Sequence, residues 1–186
     1  MVQATTMPRN ETGIKAAVAR LAAQFGDRLQ TGQALREQHG HTTTWIETQA
    51  PDAVVFPTST EEVAEIVRIC AELAVPVIAF GTGTSLEGHV NAPAGGVCID
   101  LTEMNKVVAV NAEDLDCVVQ PGVTREQLNM ELRDQGLFFP IDPGAKASLG
   151  GMASTRASGR GSAFAVMVGR SDKWGAVHHG LTIRRN

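Results

Sequence analysis

The stretch Pro76-Val77-Ile78-Ala79-Phe80-Gly81-Thr82-Gly83-Thr84-Ser85-Leu86-Glu87-Gly88-His89 runs from a short apolar segment straight into a glycine-rich loop. Val77 to Phe80, set off by Pro76, reads as a buried strand. The glycines let successive backbone N–H groups turn toward one point, a nest that suits an anion. Taken alone, the loop is equally compatible with a tight glycine turn that holds nothing. Two common phosphate loops are excluded. No Gly-Lys-Ser/Thr triplet is present, and Leu86 stands at the third glycine position of the dinucleotide fingerprint. The dinucleotide loop also opens directly into a helix, whereas residues 89–96 contain Pro93 and a Gly-Gly pair and start one poorly. Any phosphate binding therefore falls to the amides of the loop itself.

Working upstream, Asp52 to Phe56 is an apolar run bounded by Pro51 and Pro57 and reads as a strand. Ser59 to Glu62 form a Ser-x-x-Glu capping box, opening a helix with Val63, Ile66, Val67, Cys70, Leu73 and Ala74 at core spacing. Strand, helix and strand make a βαβ unit with parallel strands. Further upstream, Ile14, Ala17, Val18, Leu21, Ala22 and Phe25 share one face of a helix over 13–25, with Thr12 as its cap and Gly26 as its stop. Gln30 to Gln49 is polar and aperiodic and reads as an irregular lead-in.

Downstream, Val97, Ile99 and Leu101 alternate with Cys98 and Asp100, and Lys106–Val110 and Leu115–Gln120 read as two further strands around a turn at 111–114. Thr124 and Gln127 form a second capping box, Val123 and Leu128 stand at staple positions, and Gly136 closes that helix. A second small-residue cluster follows: Asp142, Pro143, Gly144, Ala145, then Ser148, Leu149, Gly150, Gly151, Met152, Ala153, and Ala157 to Gly159. Residues this small permit close approach of backbone to a ligand. The strand-to-helix junction Gln120-Pro121-Gly122-Val123 is within reach of the same crevice. The fold class is α+β, without an internal repeat.

These three motifs, in order and with these intervening elements, carry a specific resemblance. From about Pro51 to Gly159 the chain resembles the FAD-binding domain of the vanillyl-alcohol-oxidase (PCMH) type, and within it the D-lactate dehydrogenase (cytochrome) and glycolate oxidase FAD-subunit family. The resemblance implies FAD as cofactor, with Gly81, Thr82, Gly83, Thr84, Ser85 and Gly88 around its pyrophosphate. It places Pro143, Gly144, Ala145, Ser148, Gly150, Gly151 and Ala153 along the flavin and ribityl region, with Pro121, Gly122 and Val123 contributing from the junction. It further implies oxidation of D-lactate or a related D-2-hydroxy acid to the 2-oxo acid, with electrons leaving through FAD to a cytochrome, quinone or flavoprotein acceptor. Two alternatives stand beside it: a non-catalytic FAD-binding fragment, and another FAD-linked oxidase of the same fold.

On this reading residues 1–50 are a helix and lead-in, 51–159 a partial PCMH-type domain whose second subdomain is incomplete, and 160–186 a divergent tail. Pattern gives way abruptly to arbitrary composition after Gly159, as in a truncated or frameshifted gene product; a genuine divergent tail is the other option. The adjacent His178 and His179 do not match a helical metal pair. No catalytic residue and no metal ligand is assigned. His89 is weighed as a catalytic or flavin-linking residue against the plainer role of a polar or solvent-facing loop residue, and Arg156 as a phosphate contact against a surface ion pair.

The 186-residue chain is 43% hydrophobic and 19% charged, which suits one domain with a core and excludes global disorder. Its net charge of −4, with Lys and Arg scattered, argues against a nucleic-acid partner. Cys70, Cys98 and Cys117 are far apart and make neither a zinc pattern nor a disulfide framework, so they read as small buried apolar residues. Residues 1–10 lack the apolar stretch of a secretory signal, and no run approaches the roughly 20 apolar residues of a spanning helix. The expected location is the cytoplasm, with peripheral attachment to the inner membrane as a second option.

Overall fold

The computed structural model describes residues 8–157, and the backbone of three further strands at 167–169, 178–182 and 184–185. The chain divides into two compact units between Asp100 and Leu101.

The first unit is built on a sheet of β1 (Leu29–Gln30), β2 (Ala53–Val55), β3 (Val77–Phe80) and β4 (Val97–Asp100), in the order β1-β2-β4-β3. β4 pairs in parallel with both β2 and β3, and β1 closes the far edge antiparallel to β2. The expected βαβ unit is present, but its two strands are not neighbours, because β4 is inserted between them. That position explains why all four residues of β4 are buried, where alternation alone suggests one covered face. Val54, Cys98 and Ile78 lie side by side across three strands and pack with Leu35, Phe56 and Phe80.

Three helices belong to this unit: α1 (Glu11–Phe25), α2 (Gln33–Gly40) and α3 (Thr60–Glu72). α1 buries Ile14, Ala17, Leu21 and Phe25, but Ala22 is exposed and Val18 only half-buried. Its cap is Asn10 rather than Thr12: the Asn10 side chain accepts from the Gly13 N–H at 2.9 Å and donates to the Leu73 carbonyl at 2.9 Å. One side chain thus caps α1 and takes up a free carbonyl at the end of α3. α2 lies inside the stretch expected to be irregular. Its sequence shows little apolar periodicity, and what it buries is polar, His39 together with Gly40.

α3 starts as its capping signal implies, with Ser59 Oγ accepting from the Glu62 N–H at 3.2 Å. The reciprocal arm differs. Glu62 accepts from the Thr58 N–H at 2.7 Å, and from both Arg28 guanidinium nitrogens at 2.7 Å each. Within α3, Ile66, Ile69 and Cys70 are buried while Val67 is exposed.

In the second unit β5 (Val107–Asn111) and β6 (Asp116–Val119) form an antiparallel hairpin with an irregularity between Val107 and Ala109. The backbone of β9 (His178–Thr182) adds to β6, β8 (Met167–Gly169) adds to β9, and β10 (Arg184–Arg185) pairs with β7 (Leu137–Phe138). α4 (Arg125–Leu132) begins with Thr124 Oγ1 accepting from the Gln127 N–H at 3.2 Å. The Gln127 amide reaches the Asn105 carbonyl at 2.7 Å instead of closing the box. Val123 and Leu128, the staple pair, are fully buried in a core with Leu132, Leu137, Phe139, Ile141, Leu149 and Met152. Gly136 takes φ 67°, the left-handed conformation that ends a helix. α5 (Leu149–Ser154), a short helix within the small-residue cluster, was not anticipated.

Among the described residues no helix is long and apolar enough to cross a membrane.

The Arg28 hydrogen bonds outweigh burial and hold the Glu62 carboxyl down to about 2, below its ordinary 4.5. A lowered folded pKa gives stability that is present above about pH 4.5 and lost as pH falls through about 2. Glu62→Gln therefore flattens the acid side of the stability profile, leaving a smaller difference between urea midpoints at pH 5 and pH 2.5 than in the parent.

Candidate functional site

In the first unit, the three parallel strands deliver their C-terminal ends to one edge, the usual place for ligand loops in parallel sheets. Phe80, the last residue of β3, leads there into the glycine loop. Gly83 (φ 67°) and Gly88 (φ 74°) both occupy the left-handed region, which favours glycine. Among the described residues, no backbone N–H from Thr82 to Gly88 donates to a protein acceptor. Residues 89–96 contain no helix, as expected from Pro93 and the glycine pair, and neither does the loop before them. A run of unclaimed donors in a rigidly rooted loop is the chemistry a pyrophosphate requires.

The loop side chains add hydroxyls rather than charge. Thr82 and Thr84 place their Oγ1 atoms 3.4 Å apart, and Ser85 Oγ meets His89 Nδ1. His89 is exposed, with the Ser85 hydroxyl as its local partner. A Cβ on Gly83 would stand 2.9 Å from the Phe80 ring, and one on Gly88 2.9 Å from Ile46. Backbone conformation favours glycine at both positions, and at Gly83 the Phe80 ring crowds the space as well, whereas the end of the Ile46 side chain beside Gly88 can turn aside.

Phe80 itself rests on a buried polar pair that the sequence reading did not single out. His39 Nε2 lies 2.7 Å from Asp100 Oδ2, and His39 Nδ1 lies 2.8 Å from the Leu35 carbonyl. Both side chains are almost fully buried, and the imidazole centroid is 4.3 Å from that of Phe80. Burial disfavours the imidazolium, but the Asp100 hydrogen bond and the Leu35 carbonyl together raise the His39 pKa above 6.5. An acid at the end of the apolar run Val97-Cys98-Ile99 was the available signal, since a buried carboxylate needs a partner.

In the second unit the junction and the later cluster are brought together by backbone hydrogen bonds. Leu149 N–H donates to the Val123 carbonyl at 2.8 Å and Gly150 N–H to the Pro121 carbonyl at 2.9 Å, beside a bridge between Thr124 and Ser148. The small residues are explained partly by this seam. A Cβ on Gly150 would meet Pro121 at 2.6 Å, and one on Gly122 the Leu101 carbonyl at 2.3 Å. Ser148 is buried and caps α5, its Oγ accepting from the Gly151 N–H at 3.3 Å. The Val123 side chain is fully buried, and its backbone is engaged as well, the N–H with the Gln120 carbonyl at 3.2 Å and the carbonyl with the Leu149 N–H.

Pro143 and Gly144 sit on an exposed turn, Gly144 with φ 75° and open space where a Cβ would be. Asp142 anchors that turn, accepting from the Gly144 N–H at 2.9 Å and from Arg125 at 3.1 Å. Ala145 and Ala153 are half-buried. Arg156 is exposed with φ 54°.

A parallel-stranded unit ending in a free-amide glycine loop, followed along the chain by a unit rich in small residues, fits a protein that binds a phosphate-bearing cofactor, as the resemblance implies. The chain belongs to the FAD binding domain family, whose model matches residues 51–171. It is 52% identical over 149 residues to a probable mitochondrial D-lactate dehydrogenase of Danio rerio, covering 77% of this chain and 30% of that protein. It is 45% identical over 147 residues to the mitochondrial D-lactate dehydrogenase [cytochrome] of Arabidopsis thaliana, covering 78% of this chain and 26% of that one. Among solved structures, an alkyldihydroxyacetonephosphate synthase superposes with a TM-score of 0.71 at 27% identity, covering 84% of this chain and 31% of that one. The chain thus spans less than a third of the length of these relatives. The resemblance to PCMH-type FAD domains is established, and FAD is the cofactor of the family.

Gly83→Val is expected to abolish FAD binding, because a β-branched side chain resists φ 67° and collides with the Phe80 ring. Flavin content per folded protein, measured after gel filtration with excess FAD, checks this; wild-type occupancy contradicts it.

Proposed function

We propose that this chain is the FAD-binding part of a flavin-dependent oxidoreductase that converts D-lactate or a related D-2-hydroxy acid to the 2-oxo acid, handing electrons to a cytochrome, quinone or flavoprotein. The observation that carries the reading is the 52% identity to a protein named as a probable D-lactate dehydrogenase, over a span that covers 77% of this chain. FAD, when bound, supplies the two-electron chemistry. The protein's share is to bind and orient it. The amides of Gly81, Thr82, Gly83 and Gly88, with the Thr84 and Ser85 hydroxyls, are assigned the pyrophosphate. Pro121, Gly122 and Val123, with Pro143, Gly144, Ala145, Ser148, Gly150, Gly151 and Ala153, are assigned the ribityl and ring contacts. The loop assignment is supported by the unclaimed amides of Thr82 to Gly88; the ribityl and ring assignments are carried over from the resemblance to the family.

No residue of this chain is assigned to handle the substrate hydroxyl proton, so catalysis is attributed to the longer enzyme whose FAD-binding part resembles this chain. The domain reading, with a partial PCMH-type segment over 51–159 and a divergent tail over 160–186, belongs to the same proposal, as does a cytoplasmic or peripheral inner-membrane location. A second reading, another FAD-linked enzyme of the same fold, is favoured by the superposition on an alkyldihydroxyacetonephosphate synthase. D-lactate-dependent dye reduction by the full-length enzyme, with glycolate in parallel, separates them: reduction by neither acid removes the hydroxy-acid reading.

The flavin is proposed to be held without a covalent bond. Cys70, Cys98 and Cys117 are all buried, and burial raises their thiols to about 11, 12 and 11, so none offers a thiolate. After loading with FAD, denaturation and ultrafiltration, all yellow colour is expected in the filtrate; colour retained with the unfolded chain contradicts the claim.

A further inference from the structure

We propose that His39 is a positioning residue for the glycine loop: clamped by Asp100, its imidazole supports the Phe80 ring, and that ring sets the loop conformation at Gly83. The proposal rests on the loop being the pyrophosphate cradle only for its functional consequence; the positioning itself is read from the first unit alone.

The contacts form a continuous path. β3 and β4 pair in register with Phe80 opposite Asp100, so both residues stand at the ends of neighbouring parallel strands. A carboxylate at that buried position requires a donor, and α2 delivers one, His39 Nε2 at 2.7 Å. The second ring nitrogen is fixed by the Leu35 carbonyl one helical turn earlier, at 2.8 Å. With both nitrogens engaged, the imidazole plane has one orientation. Phe56 meets its edge with centroids 6.1 Å apart, and Phe80 lies across it at 4.3 Å, tilted by 42°. The far end of the Phe80 ring, Cζ, occupies the space within 2.9 Å of where a Gly83 side chain would begin. Loop conformation and imidazole orientation are therefore mechanically linked, through one ring.

A histidine suits this position better than an apolar residue of similar size. Phe or Leu would remove the hydrogen bond that His39 makes to the Asp100 carboxylate, and Gln would keep a donor but lose the ring against which Phe80 rests. The polar pair thus does two things at once: it neutralises the end of β4, and it makes a rigid platform under a loop whose own amides have no protein acceptor among the described residues.

The test uses the whole 186-residue chain with His39→Gln, Phe80→Leu and the double variant. Backbone ¹⁵N order parameters of Thr82 to Gly88 are read against those of β2, together with FAD affinity by titration. In His39→Gln the loop order parameters are expected to fall from about 0.85 to below about 0.6 while β2 stays near its parent value. FAD affinity is expected to fall about tenfold, the scale of coupling between residues in contact. Phe80→Leu should match both effects, and the double variant should add little to either. Loop order unchanged in His39→Gln overturns the proposal. So does equal loosening of β2 and the loop, the mark of a general loss of stability. Should Phe80→Leu fail to fold, the decision rests on His39→Gln, which retains a donor to Asp100. A loop that loosens with no change in FAD affinity, together with normal FAD binding by Gly83→Val, would keep the positioning role and remove the cradle reading.

Discussion

β4 lies between β2 and β3, parallel to both, and this pairing organises the first unit. A strand enclosed on both edges and both faces has no route for an unpaired polar group, yet it ends in Asp100. The carboxylate is accommodated because α2 supplies His39, and the pair then becomes a platform for Phe80. Because the three strands run the same way, their C-terminal ends open toward one side, and the chain leaving β3 turns there through Gly83 and Gly88. Buried strand, paired acid, tilted ring contact and free amides form one causal sequence.

The second unit manages small residues differently. Gly122 and Gly150 have an internal reason to be small, since other backbone passes within 3 Å of where their side chains would be. Gly144 is different: among the described residues no atom lies within 4 Å of its absent side chain, and its φ of 75° with the Asp142 acceptor defines an exposed turn. Small-residue clusters therefore combine internal seams with exposed turns, and only the geometry separates them.

Much of the fold was legible because local signals agreed with one another. Ser59 and Thr124 announced α3 and α4, Gly136 closed the second of these, and the apolar runs gave β2 to β6 within a residue or two. The family was legible because three motifs kept their order. What escaped depended on long-range pairing. The insertion of β4 between β2 and β3 leaves no mark in either strand, although the continuous burial of Val97 to Asp100 is its consequence. α2 was read as irregular because its buried residues are His39 and Gly40 rather than a hydrophobic stripe. Asn10 took the capping role expected of Thr12, since only its amide also reaches the end of α3. Of the candidate site residues, the loop glycines could be read from their strand-to-loop context, whereas His39 could not, its partner lying 61 residues away.

The central claim is that the backbone N–H groups of Thr82 to Gly88, unclaimed by the protein among its described residues, are the donors for a pyrophosphate. Amide hydrogen exchange across this segment, with saturating FAD and separately with riboflavin, addresses it directly, because riboflavin carries the ring without the phosphates. The account predicts protection of these amides by FAD and none by riboflavin. Equal protection by both, or none by FAD while it is bound elsewhere on the chain, would contradict it.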